Sequence, residues 1–79
     1  SRYAAVIYFA TGSAAIDTDG LRQIGWFADK MKPYPQANFL VQGFADSTGS
    51  EEKNQQLSLE RAQAVAQALA AQGIAPARM

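Results

Sequence analysis

Two charged side chains fifteen positions apart, Asp46 and Arg61, are the strongest candidates for chemistry in this chain. At helical spacing Arg61 shares a face with Asn54, Leu57 and Val65, while Glu52, Gln56, Glu60, Gln63 and Gln67 gather on the opposite side. The first face should pack inward. A guanidinium placed there needs an anion or several acceptors, because burying an unpaired charge is costly. Asp46 is the nearest anion along the sequence, in the loop ADSTGS (residues 45–50) that leads into the helix carrying Arg61. In open α/β sheets, ligands sit beyond the carboxyl ends of strands, which is where this loop should lie. On the residues alone two readings stay open. Asp46 and Arg61 hold a ligand, or Asp46 caps its own loop and forms a structural ion pair with Arg61. Asn54 by itself reads first as a local hydrogen-bonding residue.

Other chemistries fit less well. DSTGS before a helix resembles a phosphate cradle, but Lys53 lies beyond the offset of a phosphate-binding lysine and the glycine pattern is wrong. Glu51 and Glu52 in the first helical turn would also repel phosphate. A paired-carboxylate hydrolase built on Asp46 with Glu51 or Glu52 has no further group to raise a pKa or activate a water. The chain has neither cysteine nor histidine, which removes disulfides, thiolate metal sites and the usual zinc, haem and triad sets. Seven basic residues balance seven acidic ones, so no basic face exists to track a nucleic-acid backbone. No apolar run approaches a membrane span, and contact with a membrane is expected only through parts of a parent protein outside this segment. The expectation is a binding module without catalysis, metal or cofactor.

The elements that must position these residues read as follows. Tyr3–Phe9, YAAVIYF, is a buried strand with Ala5, Ile7 and Phe9 on one face and Ala4, Val6 and Tyr8 on the other. Asp17-Thr18-Asp19 caps a helix whose stripe is Leu21, Ile24, Ala28 and Met31, with Trp26 roughly opposite and Pro33 as the stop. FLVQGF (residues 39–44) is a second strand. Ser50 caps the second helix, which runs to about Gln72 and ends at Gly73. The order β-α-β-α predicts two parallel strands with a right-handed crossover. A two-stranded sheet of that kind leaves edges unmanaged, so the 79 residues are expected to be part of a larger α/β domain, with a third strand beginning near Ala77-Arg78-Met79.

Two stretches, FATGSAAI (residues 9–16) and GFADSTGSEEKNQQLSLERAQAV (residues 43–65), resemble the OmpA C-terminal-like family, which includes the peptidoglycan-associated lipoproteins and the flagellar stator protein MotB. The most specific part is the order Gly43, Asp46, Gly49, Asn54, Leu57, Ser58, Arg61, Ala62. The resemblance implies an α/β (α+β) fold, a βαβαβ-β arrangement with a mixed sheet and helices on one side. Residues 1–79 would be one peptidoglycan-binding domain lacking its C-terminal strands. The implied function is non-covalent binding of peptidoglycan in the periplasm through the diaminopimelate residue of the stem peptide, anchoring an envelope protein to the cell wall. Asp46 and Arg61 match the residues that contact the zwitterionic end of that diaminopimelate, and Asn54, Leu57, Ala45, Thr11 and Gly12 match positions bordering the pocket. The family usually has His-Thr where this chain has Phe44-Ala45, and an aspartate where it has Ala10, so polar groups beside the site are lost. The competing expectation is a structural or protein-interaction domain on the same fold, which exposed Trp26 and Phe44-Ala45 would suit.

Overall fold

The structure, a computed structural model, describes residues 3–45 and 49–79. Two helices carry it, α1 (Thr18–Met31) and α2 (Glu51–Ala71), followed by a 3-10 turn at Pro76–Arg78. Local chemistry sets both helix starts. The Asp17 carboxylate accepts the Gly20 N–H at 2.8 Å, and the Ser50 hydroxyl accepts the Lys53 N–H at 3.2 Å. Each satisfies one donor that a helix leaves open at its N-terminus. Asp19 in α1, and Glu51 and Glu52 in α2, add negative charge at the favourable end.

The C-terminus of α2 is equally well specified. Gly73 takes φ +95, its N–H donates to the Ala70 carbonyl at 3.0 Å, and the Ile74 N–H reaches back to the Leu69 carbonyl at 3.1 Å. That is a Schellman closure, and its usual apolar contact is present because Leu69 and Ile74 are both in the buried core. The core joins them to Ile24, Ala28 and Met31 of α1, with Ile7, Phe39 and Val65 packed at its border. Phe27 and Phe39 meet edge to face with ring centroids 5.4 Å apart. On α1 the buried face runs Gly20, Ile24, Ala28, Met31, and Leu21, expected within that stripe, is 51% exposed.

The expected α/β (α+β) sheet is not there. Among the described residues there is no strand, and the molecule is helical with two irregular segments lying against it. The parallel pair and its right-handed crossover fall with the sheet. The two-residue period is present, but only one face is covered. Ala5, Ile7 and Phe9 are half-buried, while Ala4, Val6 and Tyr8, expected to be buried on the other face of the strand, are exposed. Ala37, Phe39, Val41, Gly43 and Ala45 alternate in the same way with exposed neighbours. The reason is that alternation records which side of a segment faces a core, and one layer of helices suffices to impose it. A strand needs more, a backbone neighbour about 4.8 Å to its side. Here residues 3–9 and 39–45 instead line a shared cavity of about 620 Å3, floored by Ile24, Phe27, Val65 and Leu69. The tail also differs from expectation. Where a third strand was expected to begin, Arg78 and Met79 close tight turns on the Ala75 and Pro76 carbonyls, both at 3.0 Å.

One close approach fixes how the second segment sits on α2. A Cβ added to Gly43 would overlap the Ser58 carbonyl oxygen and come within 2.9 Å of the Ala62 nitrogen. Only a residue without a side chain lets these two backbones lie in contact.

Candidate functional site

Arg61 is 6% exposed, so the helical register reading placed it correctly. Its acceptors are backbone carbonyls. Nε donates to the Ser13 carbonyl at 2.8 Å, Nη2 to the Ala10 carbonyl at 3.1 Å, and Nη1 to the Phe44 carbonyl. The Phe9 ring lies beneath the guanidinium, 5.0 Å from its carbon to the ring centroid. These groups come from the turn after the first segment and the end of the second, so one α2 side chain ties both to the helix. The turn is shaped for this: Gly12 takes φ +68 and the Ser13 N–H closes on the Ala10 carbonyl at 3.0 Å, which aims both flanking carbonyls at α2.

A guanidinium has five N–H donors. Among the described residues three are engaged, leaving one on each terminal nitrogen. Carbonyl dipoles solvate the positive charge but do not neutralise it, and among the described residues no carboxylate pairs with Arg61. Arg61 and Ala45 line the 620 Å3 cavity. The arrangement therefore offers a held, nearly buried cation in the lining of a mostly apolar cavity, suited to the anionic end of a ligand with an apolar body.

The other expected site residues are distributed unevenly. Asp46 lies outside the described residues with Ser47 and Thr48. Thr11 and Gly12 form the exposed turn whose flanking carbonyls hold Arg61. Asn54 is half-buried and borders a separate shallow depression with Gly49, Glu51, Gln55 and Ser58. Leu57 is half-buried and lines neither. The geometry thus unites Arg61 with Ala45 and the 10–13 turn, and leaves Asn54 in its own hollow.

Reading the sequence missed Phe9 and the three carbonyls. Backbone acceptors have no residue signature, and the only trace was the Thr11-Gly12 turn. It also missed Arg78, which repeats the arrangement elsewhere. Arg78 Nε donates to the Ala37 carbonyl at 2.9 Å, and Nη2 to the Tyr34 and Met31 carbonyls at 2.7 and 3.1 Å, with Phe39 5.6 Å below. There the guanidinium ties the last residue of α1, Met31, to the loop carbonyls of Tyr34 and Ala37 that follow it, a structural use. No group of three or more acidic side chains that would suit a metal ion occurs among the described residues. Among the described residues no helix is long and apolar enough to cross a membrane.

Comparison with known proteins adds an independent finding. The model of the OmpA family matches residues 8–79. The chain is 36% identical over 73 residues to the probable lipoprotein YiaD of Escherichia coli K12, covering 92% of this chain and 33% of that protein. It is 38% identical over 69 residues to the peptidoglycan-binding protein ArfA of Mycobacterium tuberculosis H37Rv, covering 87% and 21% respectively. It is 36% identical over 73 residues to the peptidoglycan-associated lipoprotein of Agrobacterium fabrum, covering 92% and 41%. The chain therefore spans well under half the length of these relatives.

Proposed function

Because this chain belongs to the OmpA family, we propose that it is a cell-wall-binding module that grips peptidoglycan non-covalently through the diaminopimelate residue of the stem peptide. Arg61 meets the free carboxylate of that residue and Asp46 its ammonium. Ala45, Leu57, Asn54 and the Thr11-Gly12 turn border the bound peptide. The observation that supports this reading is the Arg61 guanidinium, nearly buried and lining a mostly apolar cavity, with two N–H donors that meet no carbonyl among the described residues. A carboxylate is the ligand group that a planar fork of this kind suits best. The relatives named as peptidoglycan-binding and peptidoglycan-associated proteins support the wall as partner. On this reading the module acts by attachment, with no chemical step, and holds a periplasmic or envelope-anchored parent protein to the wall.

A second reading is an interaction domain for another envelope protein. Phe44 is 74% exposed, and Trp26, 43% exposed, meets Tyr3 edge to face at 6.3 Å. These are side chains that protein interfaces favour.

Sedimentation with purified diaminopimelate-type sacculi separates the readings. The expected result is that the chain co-sediments without releasing soluble fragments, and that Asp46→Ala binds at least about tenfold more weakly, the loss of one charge-assisted contact. An Asp46→Ala variant that stays folded and binds like wild type would remove Asp46 from the site. Failure of the wild type itself to sediment favours the protein-interaction reading.

A further inference from the structure

We infer that Phe9 is a positioning residue for this site: its ring holds the Arg61 guanidinium in the orientation that leaves one N–H on each terminal nitrogen for a ligand carboxylate. The inference rests on the stem-peptide reading above for the identity of the ligand. Its geometric basis is independent of that reading.

Three carbonyls set where the guanidinium sits. Carbonyl acceptors, however, accept over a broad range of angles, so three bonds still allow the plane to tilt. The Phe9 ring, 5.0 Å below, restricts that tilt, because a cation is drawn to the ring face and the ring is itself held. Phe9 is half-buried and belongs to the inward set of the first segment with Ala5 and Ile7. The next residue, Ala10, supplies the carbonyl that receives Nη2 at 3.1 Å. Ring and acceptor therefore come from consecutive residues and move as one unit. The ring also covers part of the guanidinium that water would otherwise solvate, which strengthens any charge-assisted contact made by the remaining donors. Arg78 and Phe39 show that the chain builds such a pair a second time, at 5.6 Å, but Arg78 is not among the residues lining the cavity. At Arg61 the same device faces a space a ligand could enter.

A residue that only fills the core would act differently. Removing its ring would lower stability, while any molecule still folded would keep its Arg61 geometry. The test uses the wild-type chain with Phe9→Leu and Phe9→Tyr, each checked for helicity by circular dichroism. Two quantities are read: solvent exchange of the Arg61 Nε–H in nitrogen–proton correlation spectra, and affinity for a synthetic diaminopimelate-containing stem peptide. The expected result is that Phe9→Leu, still folded, exchanges the Nε–H faster and binds the peptide about three- to thirtyfold more weakly. Phe9→Tyr, which keeps the ring, should retain both properties. Wild-type exchange and affinity in folded Phe9→Leu would overturn the inference. Should Phe9→Leu not fold, the wild type decides: Arg61 side-chain protons must show an upfield ring-current shift, and random-coil values would overturn the inference. If the wild type binds no stem peptide, the proposed function fails, while the exchange comparison still decides whether Phe9 positions Arg61.

Discussion

Gly43→Ala is expected to remove at least about 3 kcal/mol of stability, the upper end of what overpacking costs. The added Cβ would overlap the Ser58 carbonyl oxygen and lie 2.8 Å from the Ser58 carbonyl carbon and 2.9 Å from the Ala62 nitrogen. These are backbone atoms in the middle of α2, so no rotamer change can make room. Either the helix distorts or the second segment lifts away. A chain of this size has only about 3–5 kcal/mol to lose, so the variant should be largely unfolded or should melt at much lower urea. Lifting the segment would also withdraw the Phe44 carbonyl, the very next residue, from Arg61 Nη1. Stability and site should therefore fail together. A Gly43→Ala chain with the wild-type urea midpoint would show that this segment does not lie against α2 as described.

On the proposed function, Arg61→Lys should abolish most stem-peptide binding despite keeping the charge. A lysine places three donors on one nitrogen and cannot reach the Ala10, Ser13 and Phe44 carbonyls, which surround the guanidinium on different sides. The Ala10 carbonyl would keep the Ser13 N–H, but the half-buried Ser13 would lose the donor to its carbonyl, a cost of about 1–3 kcal/mol at most. Binding loss alone would not separate a ligand contact from partial unfolding, and the chain contains its own control. Arg78 makes the same kind of contacts, three carbonyls and a phenylalanine ring, away from the cavity. Arg78→Lys should lower the urea midpoint as Arg61→Lys does, yet the folded fraction should bind stem peptide normally. Equal binding losses in both variants, or normal binding by folded Arg61→Lys, would remove Arg61 from the list of ligand contacts.

What the sequence disclosed follows from where its information is stored. Helix ends are local: Asp17, Ser50 and Gly73 each act on backbone groups within a few residues, and all three do so in the structure. The inward face of α2 was legible because a period of 3.6 residues survives any tertiary arrangement. The two faces of residues 3–9 separate through a period of two, but both are apolar and read as covered, whereas Val6 and Tyr8 are exposed in the structure. Lateral pairing was not legible, because nothing in alternation names a backbone neighbour, and the sheet inferred from it is absent among the described residues. Arg61 could be recognised as an inward cation, but its acceptors could not, since a carbonyl of Ala10 or Phe44 looks like every other carbonyl in the chain. Arg78 sits in a tail without periodicity, so no pattern marked it. Leu21 was assigned inward because it is apolar, although the adjacent Gly20 has the better register with Ile24 and Ala28.

The Arg61 contacts have a further consequence for the order in which the molecule assembles. Two of them join positions 48 and 51 residues apart in a chain of 79, and the third spans 17, whereas the helices are held by bonds only four residues long. Closing so long a loop costs entropy that local turns avoid, so such contacts form late and are among the first to open. The half-site on Arg61 should thus breathe while α1 and α2 remain intact, the sub-global opening that native-state hydrogen exchange detects. The Ser13 amide, whose 3.0 Å bond closes the turn beside Arg61, should then exchange before the amides near Ile24 and Leu69 in the core. Matching rates at the two places would mean that turn and core open as one. Earlier exchange at Ser13 would mean that the Arg61 end of the molecule can let go of its own carbonyls without letting go of its fold.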